Sequence, residues 1–184
     1  MQLPGHTATV LGILSVSLIS PFCLVTKAAP ASEATPASLA PSISAPDASG
    51  MKHSSESLRG KRAILLTFFP RCFTGNCTQQ LTSLRDAYPQ LQKAGVEVWA
   101  VTNDPADGPK GARAFARALK LPFPLVPDTE RKISLAFGAV HTREQVAARM
   151  SVLIGKDGRI RWIDKQINPR THGADVLARL KRGE

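Results

Sequence analysis

The sequence predicts an α/β fold, a mixed central sheet with helices on both faces. Three observations carry this expectation. From residue 63 onward, strand-like and helix-like segments alternate in the order β-α-β-α-β-α-β-β-α. The strand segments are short, unbroken apolar runs, the pattern of strands covered on both sides. Lys156-Asp157-Gly158 joins the last two strands as a hairpin turn, so an antiparallel pair completes an otherwise strand–helix–strand chain.

Each element has its own signal. Leu58-Arg59-Gly60-Lys61 is a turn, and Ala63 to Phe69 is a buried strand with aromatic residues at its end. Thr78 to Ala94 is helical, with Leu81, Leu84, Tyr88 and Leu91 on one face. Pro89 lies inside it, which predicts a kink or two short helices, and Gly95 ends it. Val96 to Val101 is a second buried strand, closed by the polar turn Thr102-Asn103-Asp104-Pro105. Gly111 to Lys120 is a helix with Ala112, Phe115, Ala116 and Leu119 inward. Phe123 to Val126 is a short strand whose prolines suit an edge or a strand end. Asp128 or Thr129 caps a helix reaching Phe137, and Gly138 stops it. Met150 to Ile154 and Arg159 to Asp164 form the hairpin, and Gly173 to Leu180 is the last helix.

The chain has 184 residues, room for one ordinary domain and an extension. Residues 10–25 form an apolar stretch followed by Ala28 and Ala29, the shape of a secretory signal, although no Lys or Arg precedes it. The expected organisation is a signal peptide or membrane anchor over 1–29, a flexible Ala/Ser/Pro-rich linker over 30–50, and the folded domain over 51–184. The expected location is exported, periplasmic or extracytoplasmic, or cytoplasmic if the leader is not a working signal. The formal charge is +10, and residues 1–50 contribute only Lys27, Glu33 and Asp47 to the count. The bases beyond them are scattered and carry no interleaved aromatic signature, which argues for a solvated basic surface and against nucleic-acid binding.

There are three cysteines, Cys23, Cys72 and Cys77. They are too few for a disulfide scaffold, and no spacing suits structural zinc, which leaves redox or nucleophilic use or inert thiols. Cys77 falls where the first buried strand passes through a loop into the first helix. Unpaired N–H groups and the positive helix end favour an anion there, so a thiol at that place is pushed toward thiolate.

The loop reads Pro70-x-x-x-Thr74-x-x-Cys77, a spacing that resembles the peroxidatic loop of peroxiredoxins. A second feature resembles the same family: Arg149 leads directly into Met150-Ser151-Val152-Leu153-Ile154-Gly155-Lys156-Asp157-Gly158. The resemblance spans about residues 45–180 and is to the compact, bacterioferritin-comigratory type. It implies a thioredoxin-like fold and a thiol-dependent peroxidase needing no metal or other cofactor. Its substrate would be hydrogen peroxide or an organic hydroperoxide, its reductant an external thiol such as a thioredoxin-like protein, and a homodimer would be in keeping with the family. Cys77 would attack the O–O bond and become a sulfenic acid. Arg149 would offer fixed N–H donors to the peroxide oxygens. Thr74 would hydrogen-bond the peroxide, and Pro70, lacking an N–H, would shield the sulfur.

Cys72 departs from the compact type, many members of which place a resolving cysteine a few residues after the reactive one, where this chain reads Thr78-Gln79-Gln80-Leu81-Thr82. Two readings stand: Cys72 resolves the sulfenic acid after local unwinding, or it is a packing residue in a one-cysteine cycle. His141 and His172 read as surface or capping residues. Two other classes compete. A Sco-like copper protein shares the fold, but its cysteine spacing is one shorter, and its histidine stands where this chain has the cation Arg149. A thiol–disulfide oxidoreductase would need Cys-x-x-Cys and a proline before the Met150 strand.

Overall fold

The structure is a computed structural model that describes residues 1–2 and 35–184. The expected alternation is present, preceded by two short strands. In chain order the elements are β1 (Ser44–Pro46), β2 (Lys52–Ser54), β3 (Ala63–Phe68), α1 (Gly75–Lys93), β4 (Val96–Thr102), α2 (Ala112–Leu119), β5 (Leu125–Pro127), α3 (Lys132–Ala136), β6 (Met150–Ile154), β7 (Ile160–Asp164) and α4 (His172–Lys181). The leader at 10–25 lies outside the described residues, and among those described no helix is long and apolar enough to cross a membrane.

Five strands form the main sheet in the order β5-β4-β3-β6-β7. β4 runs parallel to β3 and to β5, while β6 runs antiparallel to β3 and β7 antiparallel to β6. The most continuous apolar run, β3, takes the centre, where neighbours bury it on both faces and both edges. Alternation along β3 and β6 sorts side chains between two cores. Leu65, Phe69 and Leu153 pack with Leu81, Leu84 and Leu91 of α1, Phe115 of α2 and Val176 of α4. Ile64, Leu66, Phe68, Met150 and Val152 pack on the opposite side with Phe137, against which Ile133 and Leu135 of α3 also lie. The register pairs Thr67 with Ser151, so two hydroxyls meet on the face that α1 and α4 cover.

Three expectations need correction. The flexible linker of 30–50 does not hold for its second half. Ala37 N–H donates to the Ile160 carbonyl at 2.8 Å, Ala40 N–H to Gly158 at 2.9 Å and Ala48 N–H to Leu125 at 2.7 Å. Ile43 and Ala48 are buried in the two cores. The average composition hides them: single apolar residues among Ser and Pro give no periodicity, yet each fills one core site, and the sheet supplies partners for the backbone. The second correction concerns α1, which begins at Gly75 rather than Thr78. Its polar first turn adds nothing to the apolar stripe that marks the helix in the sequence. The third concerns Pro89, of whose two expected outcomes the division into two short helices does not occur: α1 is a single element of 19 residues. Pro89 sits in the exposed last turns, where one lost backbone bond is cheap to solvate.

The start of α4 is docked tightly on α1. A Cβ on Gly173 would lie 2.3 Å from the Ser83 carbonyl oxygen and 2.7 Å from Ala87 Cβ. Its N–H donates to Ser83 Oγ at 2.9 Å. Gly173→Ala must therefore push the two helices apart. It is expected to lower unfolding free energy by about 2 kcal/mol in urea titration, the cost of an extra methyl in a closed interface.

Candidate active site

The loop from Pro70 to Thr74 carries the chain from the end of β3 into α1. Its backbone is held by Asp104, whose carboxylate accepts the Cys72 N–H at 2.6 Å. The turn requires a positive φ of 59° at Phe73, a strained conformation for a residue with a side chain. The Phe73 ring rests against Phe115 at 4.8 Å between centroids, which holds that strain in place. Thr74 is extended and occupies the N-cap position of α1.

Cys77 is the third residue of α1, so the N–H groups of Gly75, Asn76 and Cys77 belong to the unpaired first turn. Its side chain is only 1% exposed. Arg149, delivered by the segment entering β6, places Nη2 3.5 Å from the Cys77 sulfur. Its Nη1 donates to Gln80 Oε1, one helical turn after Cys77. One guanidinium thus touches both the Cys77 sulfur and the helix that carries it. The approach to Arg149 is fixed in turn by Asn103, whose Oδ1 accepts the Ala147 N–H at 2.9 Å and whose Nδ2 donates to Ser134 Oγ at 2.9 Å.

The structure thus brings Cys77 and Arg149 into contact across 72 residues of sequence. Thr74 and Pro70 lie in the same loop. The Thr74 hydroxyl donates to the Arg71 carbonyl at 3.1 Å, which leaves its oxygen lone pairs to accept and no proton to give. Pro70 is half-buried at the strand end. Cys72 is buried and free. Burial, then the Asp104 charge, pushes its thiol far above the ordinary cysteine value, so it stands protonated.

Sequence reasoning missed Gln80, Thr67, Ser151, Asp104 and Asn103. His172, expected as a surface or capping residue, is instead only 2% exposed, with Nε2 3.1 Å from Ser151 Oγ. The polar groups left a faint signal: Thr67 and Ser151 interrupt apolar strand runs, and Gln80 sits beside the inward leucines of α1. His141 is exposed, as expected.

The geometry defines a thiol beside a guanidinium at a helix start in a thioredoxin-like fold. A model of the AhpC/TSA family matches residues 36–163. The chain is 31% identical over 149 residues to Peroxiredoxin Bcp of Escherichia coli, covering 78% of this chain and 93% of that protein. It is 30% identical over 143 residues to chloroplastic Peroxiredoxin Q of Populus jackii, covering 77% of this chain and 65% of that one. The crystal structure of peroxidoxin BcpB from Mycobacterium tuberculosis superposes with a TM-score of 0.73 at 19% identity, over 83% of this chain and 99% of that one. Peroxiredoxin Q of Xanthomonas campestris gives 0.68 at 21%, over 76% and 90%. The chain belongs to the AhpC/TSA family and, with its Bcp-type relatives, is a thiol-dependent peroxidase. The copper-carrier reading is not favoured, and the cation 3.5 Å from the sulfur opposes a metal there.

Proposed function

We propose that Cys77 is the sulfur that cleaves peroxide and that Arg149 is the group that makes the cleavage fast. The observation that carries this is the 3.5 Å contact between Arg149 Nη2 and Cys77 Sγ, made inside an almost closed site. The thiolate attacks one oxygen of a hydrogen or organic peroxide. The S–O bond forms as the O–O bond breaks, and sulfur is oxidised by two electrons to sulfenic acid. The leaving oxygen departs as water or an alcohol after taking a proton. The Arg149 guanidinium neutralises the thiolate and then stabilises charge growing on the leaving oxygen. Thr74, whose proton is committed to Arg71, accepts the hydrogen of the incoming O–H. Pro70 adds no competing donor at the loop.

The resting loop favours a one-cysteine cycle. Cys72 is held protonated, and the thiolate is the form that attacks. An external thiol then converts the sulfenic acid to a mixed disulfide with release of water, and a second thiol frees Cys77 with release of the oxidised pair. A thioredoxin-like protein fits this role. After one equivalent of peroxide, peptide mapping is expected to show a sulfenic-acid trap on Cys77 and none on Cys72. A Cys72–Cys77 cross-linked peptide formed at the rate of turnover overturns the one-cysteine cycle. Trapping confined to Cys72 overturns the assignment of Cys77.

The setting we infer is extracytoplasmic, supported by the apolar stretch at 10–25 and the small residues that follow it. Cell fractionation of the full chain tests this, and recovery in the cytosol alone rejects it.

A further inference from the structure

A buried row of polar groups leads away from Arg149 and ends at His172. We propose that His172 is a positioning residue for the peroxidase reaction, holding the Arg149 guanidinium at Cys77 through Ser151, Thr67 and Gln80. The inference rests on the reading of Cys77 as the reacting sulfur and Arg149 as its partner.

Arg149 Nη1 donates to Gln80 Oε1. The Gln80 amide, thereby oriented, donates from Nε2 to Thr67 Oγ1 at 2.9 Å. Ser151 Oγ donates to Thr67 Oγ1 at 2.8 Å, across the register pair of β3 and β6. His172 Nε2 lies 3.1 Å from Ser151 Oγ. Gln80, Thr67 and Ser151 are each 0% exposed. Water therefore cannot substitute for a missing partner, and every link constrains the next.

His172 Nε2 is hydrogen-bonded to Ser151 Oγ, and Nδ1 has no hydrogen-bond partner. A ring carrying both protons would therefore hold a buried Nδ1–H donor with no acceptor. Burial keeps the ring neutral, outweighing the pull of Asp164 from β7 and Asp175 from α4 for a proton, and Arg149 adds to it by repelling one. The close docking of Gly173 on Ser83 and Ala87 fixes the backbone from which the ring projects. Arg149 has a long, rotatable stem, and this row determines where its fork comes to rest.

The test compares full-length His172→Leu, Ser151→Ala and His172→Gln with wild type. The glutamine can place its amide, donor and acceptor both, near the position of Nε2. The expected result is a fall of about tenfold in the rate constant with hydrogen peroxide for the leucine and alanine variants, the scale of a modest misplacement of one group. Glutamine is expected to restore the rate to within about threefold of wild type, since it supplies a hydrogen-bond partner for Ser151. Rates in the leucine and alanine variants equal to wild type overturn the proposal. So does a glutamine variant as slow as leucine, because loss of the ring's packing alone would then explain the effect. Ser151→Ala removes one oxygen atom and keeps the test decisive if the leucine variant does not fold. A second readout needs no peroxidase activity: resolved side-chain Nη–H resonances of Arg149 in wild type, averaged by free rotation in Ser151→Ala. Failure of that difference rejects the row, whereas peroxide inertness of wild type rejects the reading of Cys77.

Discussion

Arg149→Met is expected to slow the reaction with hydrogen peroxide about a hundred- to a thousandfold, the range for losing one fixed donor to developing charge. The guanidinium makes two contacts at once, Nη2 with Cys77 Sγ at 3.5 Å and Nη1 with Gln80. Methionine keeps the length of the stem and loses both. The sulfur then lacks a counter-charge in a closed site, and the departing oxygen lacks a donor. Stability should fall much less, by about 1 kcal/mol, because the main structural loss is the donor to Gln80 Oε1. Arg149→Lys is expected to recover little, since one ammonium cannot span both positions as a rigid fork does. Stopped-flow consumption of peroxide, paired with thermal unfolding, separates these effects. A rate within threefold of wild type would remove Arg149 from the mechanism.

The parts of this site differ in how visible they were in the sequence, and for physical reasons. The strands of the sheet were legible because burial on two faces demands apolar runs, and β3, β4 and β6 are dominated by them, broken only at Thr67, Glu97, Thr102 and Ser151. Cys77 was legible because a loop of fixed spacing between a buried strand and an amphipathic helix is a local pattern. Arg149 was legible because it stands directly before a buried strand that the fold returns to the sheet beside β3. The hydrogen-bond row behind it was not. Thr67, Gln80, Ser151 and His172 come from four separate elements, and only the register of β3 against β6 and the docking of α4 on α1 bring them together. Asp104 was hidden in the same way, since a carboxylate in a polar turn looks solvated until its partner, the Cys72 N–H, is known. The ordered segment around Ile43 was hidden by composition, because Ser and Pro dominate a stretch in which two apolar side chains do the packing.

The neutral ring at the end of that row makes the fold sensitive to acid. Burial pushes His172 from the ordinary value of 6.5 down to about 4. In the unfolded chain the ring takes up its proton near 6.5, whereas in the folded chain it resists until about 4. Between those values the unfolded state holds more protons, so stability rises with pH and falls as the solution is acidified. The loss attributable to this ring begins near pH 6.5 and reaches about 3 kcal/mol by pH 4. Asp47 does not confuse the window. Burial raises it, but hydrogen bonds from Ser49, His53 and Met51 outweigh that and hold it below its ordinary 3.8, so stability that depends on its charge is lost only under more acidic conditions. Urea unfolding from pH 7.5 to 4.5 should therefore show a steady fall for wild type and a nearly flat line for His172→Gln, whose amide does not titrate. The glutamine variant, less stable than wild type at neutral pH by the loss of a fitted ring, is expected to draw level with it or pass it near pH 4.5. Parallel lines for the two proteins would mean that His172 charges in the folded state as easily as in the unfolded one, and that the ring is not held neutral by its burial.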